Sequence, residues 1–360
     1  GLRKFQGFKD RIRDPVGQGF NARYFDRTFL TGMDYEDWMA MTDTLQQALT
    51  DEAIEQAIRQ FPPEIFQHHG EEIIRKLKSR RDELKETATT FYLALSRAVD
   101  VVGTNKHELF KVERLNNSKT RVRVWKIKKD SDKKKHKIFD RTFNYNETRE
   151  IRLYGLGGED IFEVSGEVNR GIKVRAIGGA GFDVFEDESR VAGPGKKTVV
   201  YDNLLGNELR LGGEARDRTS TREDVNSYDR KAFQYDLLAP VLFFAFNPDD
   251  GLFLGGGARL VRHGFRKEPY KSQQQIKANF APRTNSYNFT WQGEFIHVLG
   301  RYDLLLNGDL KQPSFVDFFY GLGNETTNRL NGVSQNYYRF RYSQTLLNAA
   351  AHLQYDKACI

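Results

Sequence analysis

The chain has 360 residues, 39% hydrophobic and 29% charged, with net charge +7, a pI near 9.2 and mean hydropathy −0.65. No stretch approaches the roughly 18–20 apolar residues of a membrane-crossing helix, which excludes a helical membrane protein but leaves a strand-crossing one open. Its single cysteine, Cys359, excludes an intrachain disulfide framework and a zinc cluster, and interleaving of 56 basic with 49 acidic residues argues against nucleic acid as a partner.

Residues 1–33 are Gly-punctuated, with turns at Asp14-Pro15 and Gly17-Gln18-Gly19, and read as an irregular segment packing against a domain upstream of this sequence. The missing initiator Met and the strand-like pattern still running at 349–355 read as a piece of a longer chain. Residues 34–103 are expected to be helical. Asp34 is placed to cap a helix carrying Trp38, Met41, Leu45 and Leu49 at helical spacing, and Thr50-Asp51-Glu52 opens the next one. Pro62-Pro63 ends that helix, and a long one is predicted from about Gly70 to Val99, stopped by Gly103. Its Arg75, Lys76, Lys78, Arg80, Arg81 cluster reads as a solvated face, the alternative being anionic lipid headgroups. His68-His69 reads as surface.

From Glu108 the apolar period switches to two. Phe110 and Val112, then Val122, Val124 and Ile127, flank a turn at Asn116-Asn117-Ser118-Lys119, and 138–143 and 149–154 continue the strands. The lysines between Lys126 and Lys137 read as a solvated hairpin tip. Glu150 to Val164 and Lys173 to Asp187 form an internal repeat of strand, glycine turn, acid and short strand, with glycine pairs at 157–158 and 178–179. A period near 20 residues with glycine turns predicts solenoid-like rungs over 104–212. Gly178 to Phe185 resembles the glycine-rich calcium nonapeptide, which would need Asp160 and Asp183 aligned on neighbouring rungs; structural turns are the simpler expectation, so no resident metal or cofactor is expected.

Residues 213–232 read as a charged linker. Beyond them, 233–360 alternates apolar and polar residues in strand-length segments: Tyr287, Phe289, Trp291 and Phe295 against Asn288, Thr290, Gln292 and Glu294. Arg301–Leu310 repeats the pattern with Arg301 and Asp303 on its polar side, and Tyr337–Leu346 does so with Phe340 opposite Arg341. Six or more strands are expected from eight strand-length segments (235–246, 252–263, 274–281, 287–297, 301–310, 314–320, 337–346, 349–355), with a tight turn at 247–251 and longer loops at 264–272 and 323–335. Segments of 9–11 residues with one aromatic-rich and one charged face suit a barrel wall between lipid and water. The fold class expected is therefore α+β followed by all-β, ending in an incomplete antiparallel transmembrane β-barrel.

Phe246 to Gly257, carrying Asn247-Pro248-Asp249-Asp250-Gly251, resembles the first hairpin of BamA-type outer-membrane barrels, the bacterial surface-antigen family. Phe319 to Thr326 resembles that family's strand-to-loop signature. Phe25 to Leu30, Phe61 to Ile65 and Arg152 to Asp160 look like large Bacteroidetes-type proteins in which a metallophosphoesterase region precedes such a barrel. The resemblance implies residence in the bacterial outer membrane, lipid as a partner together with other outer-membrane or periplasmic proteins, and a middle region anchoring an upstream phosphoesterase-like domain. Enzymatic activity is not expected within this sequence: the phosphoesterase metal-ligand motifs and any kinase catalytic loop are absent, and His68, His69, His107, His136, His263, His297 and His352 are scattered. The alternative reading is a soluble cell-surface binding module stiffened by a calcium-bearing solenoid.

Overall fold

A computed structural model describes residues 7–128, 134–326 and 332–353. The chain divides into two compact units, residues 1–232 and 233–360, and the helical and β-rich parts upstream of residue 233 belong to one unit.

The first unit begins with short helices where an irregular segment was expected: α1 (Pro15–Gln18), a 3-10 turn at Gly19–Ala22, and α2 (Arg23–Phe29). Asp14 caps α1 through Gly17 N (2.9 Å), and Arg27 ties α2 to the carbonyls of Leu95 and Ala98. Then α3 (Tyr35–Ala48) starts in a capping box between Asp34 and Asp37, and α4 (Asp51–Ile58) starts at Thr50, whose hydroxyl accepts from Ala53 N. A one-turn α5 (Pro63–Ile65) and a π-turn at Phe66–Gly70 hold the exposed His68 and His69. The long helix predicted to Val99 is two, α6 (Glu71–Asp82) and α7 (Leu84–Ser96), broken at Glu83 without a proline or glycine. Ile54, Ile58 and Ile74 form the small core beneath them.

Val99 instead lies in β1 (Ala98–Val102), the first strand of a two-sheet solenoid. The chain continues through β2 (Glu108–Arg114), an antiparallel excursion of β3 (Lys119–Ile127) and β4 (Lys134–Asn144), then β5 (Glu150–Gly157), β6 (Ile161–Ser165) and β7 (Glu167–Val168). The next rungs are β8 (Lys173–Ala180), β9 (Asp183–Asp187) and β10 (Arg190–Val191), then β11 (Thr198–Tyr201), β12 (Asn207–Leu211) and β13 (Ala215–Asp217). One sheet runs β1-β5-β8-β11-β13, all parallel; the other runs β12-β9-β6-β2-β3-β4. Thus 215–217 close the last rung, and the expected linker at 213–232 is partly a strand. The tip of the lysine-rich hairpin at 129–133 lies outside the described residues.

Parallel, in-register rungs put like residues above like. Phe110, Phe162 and Phe185 stack with centroids 4.7 and 4.8 Å apart and planes within 12°, all at 1% exposure or less. Around them Val112, Val122, Ile151, Leu153, Val174 and Val200 complete a continuous core. Arg141 of β4 is buried and donates to Thr31 O (2.6 Å), Tyr92 OH (3.1 Å) and Ser96 Oγ (3.3 Å), fastening the excursion to the helices.

Among the described residues the second unit is an antiparallel sheet of six strands in chain order: β14 (Leu237–Asn247), β15 (Gly251–Gly264), β16 (Lys267–Ala281), β17 (Ser286–Leu299), β18 (Tyr302–Phe318) and β19 (Arg339–Leu353). Six or more strands were expected, from eight strand-length segments. The segments 301–310 and 314–320 fuse into β18, because a register shift between Lys311 and Phe315 accommodates Pro313. Likewise 337–346 and 349–355 are one β19 as far as Leu353; 354–360 and Cys359 lie outside the described residues. The loop predicted at 264–272 shrinks to Phe265-Arg266, with Arg266 at φ +52° as a tight hairpin needs, while Pro248-Asp249-Asp250 turns as predicted. The sheet is open among the described residues, with β14 and β19 at its edges.

Candidate functional site

The antiparallel sheet has two chemically distinct faces, fixed by register. Cross-strand rows on one face read Phe244, Leu254, Phe280, Tyr287; then Leu242, Gly256, Ala278, Phe289, Leu310; then Pro240, Ala258, Ile276, Trp291, Gly308, Leu347. On the other face, Asn279 donates to Asn288 Oδ1 (3.3 Å), Asn288 contacts Asp309, Arg259 meets Gln273, and Tyr270 meets Glu294. The apolar face is the exposed one: Leu242 is 77% exposed, Phe244 70%, Phe246 71% and Leu347 79%. Asp303, on the polar side, is 3% exposed and accepts from His297 N (2.7 Å). Phe289 and Phe340 are exposed, Trp291 is half-buried, and Arg341 reaches Asp250 (3.8 Å). Arg301, expected on the polar wall, instead sits in the two-residue turn between β17 and β18. Single surface hydrophobes are ordinary, but a contiguous exposed apolar face of this extent is not.

The solenoid brings the two calcium candidates together. Asp160 and Asp183 occupy one column on adjacent rungs, each 1% exposed, and Glu108 continues the column. Each carboxylate serves the preceding rung's backbone: Asp183 Oδ1 accepts from Asp160 N (2.9 Å), and Asp160 Oδ1 accepts from Glu108 N (2.7 Å). Glu108 ends the series by accepting from Thr104 N (3.0 Å) and Oγ1 (2.5 Å). A glycine sits five residues before each acid, Gly103, Gly155 and Gly178, and a methyl on Gly155 would collide with Asp160 Oδ2 and Gly178 O. The fourth rung reverses the chemistry, with Asp202 in the glycine column and Asn207 in the acid column.

Calcium takes six to eight oxygens. The acid column presents one spare carboxylate oxygen at Asp160 and one at Asp183, and Asp202 adds one from the neighbouring glycine column, on strands about 4.8 Å apart. Among the described residues no group of three or more His, Cys, Asp or Glu side chains could hold a metal ion. The donor set does not assemble a calcium shell. Burial pushes Asp160 up to about 9 and Asp183 up to about 7, each raised further by the next acid, so protonation answers the buried charge.

An acid whose folded pKa lies above its unfolded value near 4 favours the fold most when protonated, below that value. Its contribution is lost as pH rises, through about 7 for Asp183 and about 9 for Asp160. Thermal melting of the first unit is expected to fall from pH 5 to pH 9, and Asp160→Asn, which keeps the amide acceptor, is expected to flatten that slope. Millimolar calcium leaves the melting temperature unchanged on this account; a calcium-dependent rise that Asp183→Ala removes would restore the cation reading.

Sequence reasoning singled out Asp160 and Asp183 but missed Glu108 and Asp202, although the spacing Gly-x4-acid recurs at 103–108, 155–160 and 178–183. Buried Arg114 was also missed; it donates to Ile172 O (2.8 Å) and Thr198 Oγ1 (3.2 Å), crossing the rungs inside the solenoid. No described helix is long and apolar enough to cross a membrane, a statement that does not bear on strands. The chain matches no protein-family model, no curated protein and no solved structure at significant similarity.

Proposed function

We propose that residues 233–360 form part of the wall of a BamA-like outer-membrane β-barrel, and that residues 1–232 are the non-catalytic helical and solenoid region attached to it. In this reading the whole serves to anchor an upstream, phosphoesterase-like domain at the bacterial outer membrane. The observation that carries the proposal is the exposure of the aromatic and aliphatic rows beside a hydrogen-bonded polar face, the arrangement in which lipid meets one side and water the other.

Three further features support it. Strands of 11 to 17 residues meet or exceed the roughly 9–11 that a tilted strand needs to cross hydrocarbon, whereas strands of soluble domains average about 5–6. Connections at one end are two-residue turns (265–266 and 300–301), while the opposite end carries 248–250, 282–285 and the 20 residues 319–338, the asymmetry of outer-membrane barrels. The six described strands are fewer than the eight of the smallest such barrels, and the edges of β14 and β19, open among the described residues, leave room for further strands.

The soluble-module alternative makes the opposite demand on solubility. The chain is expected to aggregate when purified without detergent and to become monodisperse in micelles. A monodisperse, folded monomer in detergent-free buffer would contradict the barrel reading and favour a soluble surface module.

A further inference from the structure

A basic cleft lies where the parallel strands of the first unit begin. It encloses about 310 Å³, within the range of small-ligand pockets, and is lined by Tyr145, Arg149, Lys173, Lys196, Lys197 and Arg216 with two glycines and Val199. Five cations and no carboxylate line it. Two acids beside it are already engaged: Glu150, in register with Lys173, binds Arg152 (2.6 Å) and Arg175 (3.0 Å), and Glu214 is taken by the backbone amides of Val191 (3.3 Å) and Lys197.

Register concentrates this charge. Val174 pairs with Thr198, and Val174 N donates to Lys197 O (2.7 Å), so Lys173, the first residue of β8, and Lys197, just before β11, lie side by side on adjacent strands about 4.8 Å apart. Like charges side by side on neighbouring strands destabilise a sheet unless a counter-charge joins them. Tyr145 is flanked by Arg149 and Arg170 at 4.6 and 4.9 Å from its ring centroid, which fixes the Arg149 guanidinium at the rim. Lys196 is steadied by donating to Ala215 O (2.6 Å). Burial first, then Arg175, Arg216 and Lys197, hold the Lys173 ammonium below its ordinary value against the opposing pull of Glu150, its partner on β5.

We propose that this cleft binds a phosphorylated ligand, an oligophosphate or a phosphomonoester headgroup, with Lys173, Lys197 and Arg216 as its principal contacts. Phosphate carries about −1.5 to −2 per group at neutral pH, the charge density five converging cations call for, and both Lys and Arg suit it. This inference stands on the solenoid alone and does not depend on the barrel reading.

The test is calorimetric titration of the full chain, in detergent micelles, with sodium tripolyphosphate at low salt. A second arm follows the thermal shift on doping the micelles with phosphatidic acid. Binding of tripolyphosphate that K173Q/R216Q weakens about tenfold or more, while K173R/R216K retains it, identifies a soluble phosphate ligand. Protection by phosphatidic acid alone, abolished in K173Q/R216Q, identifies a headgroup. No response in either arm, or an equal response from K173Q/R216Q, overturns the proposal. Because K173Q/R216Q relieves repulsion, its melting temperature is expected to equal or exceed that of the native chain, which separates lost binding from lost folding.

Discussion

Phe289→Arg is expected to abolish stable membrane integration, whereas Thr290→Arg, one residue along the same strand, is expected to be tolerated. The two positions differ only in face. Phe289 sits in the middle of the apolar rows, between Ala278 and Leu310, while Thr290 pairs with Lys277 and Asp309. An arginine on the lipid face near the bilayer midplane costs about 2–4 kcal/mol, a large fraction of the stability of most folded domains. On the polar face it meets water and Asp309. The measurement is resistance to SDS unfolding and to urea extraction after reconstitution in vesicles, compared across the native chain and both variants. Equal loss in the two variants would mean that the faces are not differentiated as described.

Phe162→Ala is expected to destabilise the first unit by about 3–5 kcal/mol. Phe162 is the middle ring of the Phe110–Phe162–Phe185 stack and is 1% exposed. Truncating it removes its own burial and both ring contacts, and leaves a cavity that a rigid two-sheet solenoid cannot close. Phe162→Leu is expected to recover more than half of that loss. Denaturant unfolding followed by near-ultraviolet circular dichroism measures both. A loss under 1 kcal/mol for Phe162→Ala would show that the stack is not the spine of the unit.

The sequence made legible whatever a local period or a cap dictates. Asp34 and Thr50 open helices because a side-chain oxygen close to the orphan amides is a local device. The alternation at 287–297 identified both faces of β17, since face follows from position along a strand. Long-range register was out of reach. Ala98–Val102 continues a helical stripe and becomes a strand because it pairs in parallel with Glu150–Tyr154, about fifty residues away. Lys311-Gln312-Pro313-Ser314 has the composition of a turn, but with Lys311 paired to Asn288 on one side and Gln344 on the other it is absorbed as an irregularity in β18. The same limit hid the candidate sites. Asp160 and Asp183 were suspected from glycine-rich turns, yet their use as amide acceptors appears only once the rungs are stacked. Lys173 and Lys197 lie 24 residues apart in the chain and become neighbours only through the pairing of β8 with β11.

Trp291 gives the most direct test of the central claim, that the apolar face of the antiparallel sheet touches hydrocarbon. The sequence holds three tryptophans, and Trp38 and Trp125 belong to the first unit. With those two replaced by phenylalanine, Trp291 emission in reconstituted vesicles is predicted to be quenched by lipids brominated along the acyl chain and little affected by aqueous iodide. Strong iodide quenching with no response to brominated lipid would contradict the account.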